Sequence, residues 1–222
     1  MAKDKNPIPL NIRFAALAVD VVCLRVRDGV LEMLLGEVVS NNNKFKGALA
    51  HIGGLIRVEE TAEEAIDRLL RDKAGLSKIY KEQLYTFTKV DRDPRGRVVA
   101  VAYIGLLNDK NIQDLEKAKV KTVWKRADAA PKLAYDHDEI TKTAIERMRT
   151  KIIYTDIARH LMPAEFTLSE LQKVYEAVLG EGMDKRNFRK RILSLGILKD
   201  TKKTVKKGVM RPATLYAFKP KK

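Results

Sequence analysis

The sequence predicts an α+β protein in two parts: a mixed sheet with helices packed around it, then a small basic unit of helix, turn, helix and wing. Three observations carry that reading. Apolar runs of strand length alternate with turn residues as far as Lys125. Thr61 to Lys73 carries Ala62, Ala65, Ile66, Leu69 and Leu70 at helical spacing. The positive charge is concentrated at the C-terminal end. At 222 residues the chain lies between one and two typical domains, and the motifs favour two, 1–150 and 151–222.

Phe14 to Leu24 is rich in Val and Ala, Asp28-Gly29 is a turn dipeptide, and Val30 to Val38 returns as a second apolar run, so the chain opens on a β-hairpin. Ser40 to Lys46, with three consecutive Asn, is a loop. Thr61 stands near the cap of the following helix. Glu59, Glu60, Glu63 and Glu64 make its acidic start, which suits the positive end of the helix dipole, and Gly75 stops it. Glu82 to Val90 and Val98 to Leu107 are strands, joined by a turn from Asp91 to Arg97 that Pro94 and Gly96 force. Val120 to Lys125 is a short strand and Asp138 to Thr150 a helix. Asp136-His137-Asp138 has the composition of a proton-transfer site, but residues adjacent in sequence do not face one another. A capping and hinge role near the junction of the two parts is expected.

The spacing from Gly54 to Leu76 goes beyond secondary structure. Gly54, Glu60, Arg68, Leu70, Gly75 and Leu76 fall, with no gap, on the fixed positions of G-x5-E-x7-R-E-U-x-E-E-x-G-U, where U is a bulky aliphatic residue. The resemblance of this stretch to that pattern implies a diphosphate held through divalent metal, because a hard cation needs several carboxylates on one helix face. Here the acidic centre is replaced: Leu69 stands for one Glu, Asp72 shortens another, and Lys73 puts an ammonium where the cation would sit. No catalytic residue, metal ligand or cofactor is expected.

This stretch resembles the Nudix box. Two further segments, EQLYTFTKVDRDPRGRVVAVAYIGLL from Glu82 to Leu107 and LAYDHDEI from Leu133 to Ile140, are similar to those of Nudix-related transcriptional regulators, the NrtR-type repressors best known from NAD metabolism. With the basic tail, the resemblance covers most of the chain. It implies a Nudix-like α/β/α sandwich followed by a C-terminal winged helix-turn-helix domain. It also implies a double-stranded DNA operator, a homodimer and a small-molecule effector such as ADP-ribose. His51-Ile52-Gly53 stands where a Pro-Gly-Gly turn is more usual, and some relatives respond to sugars, so the effector stays open. From the residues themselves, Arg57, Arg68, Arg71, Lys73, Arg95 and Arg97 are candidate phosphate donors, and Tyr85 or Phe87 a candidate base-stacking ring. The plainer alternatives are that Arg68 pairs with Glu60 or Glu64 and that Tyr85 and Phe87 belong to the core.

The chain has 44 Lys and Arg against 29 Asp and Glu, a net charge of +15. From Met183 onward there are fourteen Lys or Arg against Asp184 and Asp200, a net +12. Thr167 to Leu179 is an amphipathic helix with Leu168, Leu171, Val174, Tyr175 and Val178 on one face, broken by Gly180 and Gly182. Asp184 caps a second helix, Lys185 to Leu195, which Gly196 ends. Phe188, Ile192 and Leu195 form its buried stripe, leaving Lys185, Arg186, Asn187, Arg189, Lys190 and Arg191 on or beside the surface. A helix placed this way enters a major groove, where Arg pairs with guanine and Asn with adenine while Lys neutralises phosphate. Two short strands around a loop with Lys202, Lys203, Lys206, Lys207 and Arg211 complete a wing. DNA is favoured over RNA because the basic surface has no aromatic stacking platform.

The lone Cys23 excludes an internal disulfide and fits a reducing cytoplasm. No apolar run approaches the roughly 20 residues that span a bilayer, and the opening MAKDKNPIPLNI lacks the apolar segment of a signal peptide, so no membrane partner is expected. The rival reading is an active Nudix hydrolase of nucleoside diphosphate derivatives whose basic tail binds RNA or membrane without specificity.

Overall fold

The computed structural model describes residues 14–39, 44–108, 110, 118–206 and 212–220. β1 (Ala16–Arg27) and β2 (Val30–Glu37) form the expected hairpin. Asp28 and Gly29 both have positive φ, 50° and 76°, which is what a two-residue turn of type I′ demands. β1 is the hub of a seven-stranded sheet. Its first half pairs antiparallel with β4 (Ile52–Leu55), its second half with β2, and its other edge runs parallel to β6 (Val98–Leu106). β5 (Tyr80–Phe87) lies beyond β6, while β3 (Leu49–Ala50) and β7 (Thr122–Arg126) both pair with β2.

Helices cover both faces, and β1 alternates between them accordingly. Val19, Val21 and Cys23 share a core with α1 (Ala62–Ala74), whereas Val22 and Leu24 pack toward α2 (His137–Tyr154). This is the α/β/α sandwich. Thr61 caps α1 through a reciprocal box with Glu64, and Gly75 at φ 65° ends it. α2 runs further than expected, to Tyr154, and the division expected between 150 and 151 falls inside it.

A 3₁₀ turn at 157–160 leads into α3 (Leu168–Leu179) and α4 (Lys185–Ser194), flanked by a three-stranded sheet in the order β8 (Phe166–Thr167), β10 (Ala213–Phe218), β9 (Leu198–Val205). This is the helix, turn, helix and wing. α3 starts on a second capping box, Thr167 with Glu170, and Asp184 caps α4 by accepting from the Asn187 N–H at 2.8 Å. The expected stripe on α4 needs correction. The helix ends at Ser194, so Leu195 lies past its last turn and stays 45% exposed, leaving Phe188 and Ile192 as the buried pair. One apolar core runs from the sheet and α2 through Leu171 and Val178 to that pair. Among the described residues no helix is long and apolar enough to cross a membrane.

Candidate functional site

A cavity of about 200 Å³ opens where β1, β4, the 91–97 turn and the start of α2 meet. Asp20, His51, Lys73, Arg92, Arg95, Tyr135 and His137 supply most of its polar wall. β4 lies close over β1 there because of Gly53. A Cβ at that position would stand 2.0 Å from Asp20 Oδ1 and 2.5 Å from the Val19 carbonyl oxygen, and the latter is backbone that cannot yield.

Asp20 is a charge inside an apolar strand, and it is tolerated because Arg92 reaches it. The Arg92 guanidinium donates to Asp20 Oδ2 at 3.2 Å and to both oxygens of Asp136 at 2.8 and 2.7 Å. All three side chains are under one-tenth exposed. Burial pushes the Asp20 carboxyl above its ordinary range, with Arg92 opposing. His51 and His137 stack with ring centroids 5.2 Å apart, and the His51 N–H donates to His137 Nδ1 at 2.9 Å. Burial lowers them to about 3 and about 4, so both are neutral.

The Asp136-His137-Asp138 run is therefore not a hinge at the junction. Asp136 occupies the N-cap position of α2 but makes no side-chain cap bond, because Arg92 holds its carboxylate. Asp138 Oδ1 instead accepts from the Leu133 N–H at 3.0 Å. The run sits at the cavity end of α2; the opposite end meets α4, where Arg191 donates to the Ile153 carbonyl at 3.1 Å.

The box keeps its scaffold, and its carboxylates serve the fold. Arg68 Nε donates to Glu60 Oε2 at 2.8 Å and its Nη2 to the Leu55 carbonyl at 3.2 Å; the bond from Arg68 pulls Glu60 down to about 2. Glu63 accepts from the Tyr103 hydroxyl and Glu64 closes the capping box. At the altered positions, Leu69 is buried against Gly54, Asp72 lies near Arg71 at 3.8 Å, and Lys73 Nζ donates to the Gly53 carbonyl at 2.6 Å. Burial lowers the Lys73 pKa, with Asp20 opposing. Among the described residues no three His, Cys, Asp or Glu side chains gather as a metal-holding group. A hard cation at this helix would meet an ammonium and an apolar side chain, so the residues do not fit the metal that the box pattern serves.

Of the candidate ligand residues, Lys73 and Arg95 line the cavity. Arg95 also pairs with Asp93 at 2.7 Å and lies over the Tyr135 ring. Arg57, Arg68, Arg71, Tyr85 and Arg97 stand outside the lining, for separate reasons. Arg68 is tied to Glu60, Arg97 donates to the Lys89 carbonyl, and Arg57 and Arg71 face solvent. Tyr85 is 61% exposed on the sheet's edge strand, its ring meeting the buried Phe87 edge-on. Asp20, Arg92 and Tyr135 were not among the candidates. The one sequence signal for them was Asp20, a lone charge in an apolar strand that required a buried partner.

On α4, Lys185, Arg186, Asn187, Arg189, Lys190 and Arg191 are all exposed, the last being the one bound back to α2. In the wing, Lys202 has φ 62° with its N–H on Asp200, Lys203 pairs with Glu165 at 2.8 Å, and Lys206 is exposed. Lys207 and Arg211 lie outside the described residues.

Residues 16–145 match the NUDIX domain family, and residues 158–218 match the NrtR DNA-binding winged helix domain. The ADPR responsive transcriptional repressor NtrR of Acinetobacter baylyi is 34% identical over 220 residues, 97% of this chain and 84% of that protein. The crystal structure of Shewanella oneidensis NrtR complexed with a 27mer DNA superposes with a TM-score of 0.80 at 31% identity, covering 91% of this chain and 93% of that one. The NUDIX domain of the Shewanella protein, complexed with ADP ribose, gives a TM-score of 0.55 at 32% identity over 64% of this chain and 94% of that one.

Proposed function

The chain belongs to the NrtR family of Nudix-related transcriptional regulators, and from that premise we propose a repressor whose Nudix domain senses ADP-ribose or a related nucleotide without hydrolysing it. Lys73 is the observation that carries the reading. Its ammonium, held on the Gly53 carbonyl, lines the cavity at a position where the hydrolytic pattern has a Glu. With Arg95 it offers a diphosphate fixed positive charge that needs no metal. α4 presents Arg186, Asn187 and Arg189 to base edges; Lys185, Lys190 and the wing lysines neutralise phosphates. Two such units related by symmetry reach half-sites about one helical turn apart, so the active species is a homodimer on a near-palindromic operator.

α2 is the link between the sites, since His137 at its start walls the cavity and Ile153 near its end accepts from Arg191 of the reading helix. A ligand that shifts α2 thereby shifts DNA affinity, and DNA shifts ligand affinity by the same factor. The test is a titration of ADP-ribose in EDTA and in Mg²⁺, followed through binding, turnover and operator affinity. Binding is expected to persist in EDTA and to change operator affinity. Turnover on the order of 1 per second in Mg²⁺ would return the chain to the enzymes, and binding that vanishes in EDTA would remove the sensor reading.

A further inference from the structure

The hydrogen bonds of the two cavity histidines fix their tautomers. Thr141 gives its one hydroxyl proton to the His137 carbonyl at 2.8 Å. At the 2.8 Å contact between His51 Nε2 and Thr141 Oγ1, the ring nitrogen must then be the donor. His51 is the Nε2–H tautomer, with a bare lone pair on Nδ1. His137 accepts at Nδ1 from the His51 N–H, so its proton also sits on Nε2, turned toward Asp20 Oδ1 at 3.6 Å.

One acceptor is left without a donor. His51 is 4% exposed, its Nδ1 is fully buried, and no group among the described residues pairs with it. Native folds leave few such atoms unmatched without a functional reason. Each cation of the same cavity is already engaged, Lys73 on the Gly53 carbonyl, Arg95 on Asp93 and Arg92 between Asp20 and Asp136. The wall that His51 gives the cavity therefore carries, just beneath its surface, an unmatched acceptor beside the Asp20–Arg92 pair, a place that suits a donor rather than a phosphate.

We propose that the His51 side of the cavity takes an uncharged hydrogen-bond donor of the ligand, a sugar hydroxyl or a nucleobase amino group, and leaves the diphosphate to Lys73 and Arg95. This rests on the nucleotide reading above and deepens it. His51 is then a specificity-determining residue: it selects what the effector carries beside its phosphates.

The test is calorimetric titration, in EDTA, of the full-length protein with three ligands: ADP-ribose, ADP, which lacks the terminal sugar, and inosine diphosphate ribose, which lacks the amino group. The wild-type protein is expected to bind ADP-ribose roughly tenfold more tightly than one of the other two, the worth of one neutral hydrogen bond. Weak ADP assigns the hydroxyl; weak inosine compound assigns the amino group. His51→Phe, which keeps a ring against His137 but has no acceptor, is expected to abolish that preference and to leave affinity for the truncated ligand within about twofold. His51→Asn, whose amide oxygen falls near the Nδ1 position, is expected to retain it. A preference that survives His51→Phe overturns the proposal. So does a wild-type protein that binds all three equally, a comparison that holds even if His51→Phe fails to fold; Nδ1 then belongs to a buried water. A wild-type protein that binds none of the three overturns the nucleotide reading itself, and this proposal with it.

Discussion

The cavity and the reading helix hold their charges in opposite ways. In the cavity Arg92 is closed between Asp20 and Asp136, and Lys73 is held on a carbonyl. On α4 Lys185, Arg186, Arg189 and Lys190 are exposed and make no ion pair among the described residues. Inward charges fixed by partners give a ligand one geometry to match and are little screened by salt. Outward ones add affinity for a polyanion through counterion release and weaken as salt rises. Charge thus supports discrimination in one region, where it is balanced and fixed, and attraction in the other, where it is unbalanced and exposed.

The largest expected effect breaks the comparison at its centre. Arg92→Ala leaves two buried carboxylates sharing no cation, and urea denaturation is expected to show a loss of about 3–5 kcal/mol. Arg189→Ala, the same change on α4, should stay within about 0.5 kcal/mol. Equal losses would mean that the two regions do not differ as described.

Acid is the next probe. His51 and His137 are held neutral in the fold down to about 3 and about 4, whereas in the unfolded chain they take up protons from about 6.5 downward. The unfolded state therefore binds more protons across that window, and stability falls as pH falls, by at most about 1.4 kcal/mol per pH unit for each ring. Asp20, whose carboxyl is raised, opposes this because its protonation favours the fold. Urea midpoints between pH 7 and pH 5 should drop in the wild-type chain and flatten in His51→Asn. No drop would show that the rings are charged or solvated.

Smaller effects sharpen the outward side. Arg186→Ala and Arg189→Ala are each expected to weaken the specific operator by roughly 1–3 kcal/mol and random DNA by less. Lys206→Ala should weaken both alike and reduce the slope of log affinity against log salt by about 0.9. Identical behaviour of the two sets on both DNAs would dissolve the division between reading helix and wing. Asp184→Ala, which removes the cap of α4, is worth about 1 kcal/mol of stability by thermal denaturation.

What the sequence made legible was what short-range chemistry decides. The I′ turn at Asp28-Gly29, the caps at Thr61 and Asp184, and the stop at Gly75 each depend on a few neighbouring residues, and each stands where expected. β3, β4 and β8 have two to four residues, too few for alternation to show. The site was less legible. Lys73 and Arg95 were readable because the box and the turn place them, but Arg92 meets Asp20 and Asp136 across 72 and 44 positions of sequence, and only the folded sheet brings them together. His51 drew notice merely as a departure from a common turn, and its role depends on a hydroxyl 90 residues away.

The apolar core that begins between β1, β2 and α2 does not stop at the end of the sandwich; it continues through Leu171 and Val178 to Phe188 and Ile192 beneath the reading helix. The halves are accordingly not beads on a string, and melting should occur in one transition. Nor is the reading helix portable by itself, since Phe188 and Ile192 beneath it belong to that shared core. A reading helix grafted from a relative would arrive without the bed it was fitted to, unless its inward faces matched those of the sandwich. Over descent, the outward face of α4 is free to drift toward new operators one side chain at a time. The inward face can change only in step with its neighbours, so a lineage can revise what it reads far more easily than how the reading is attached.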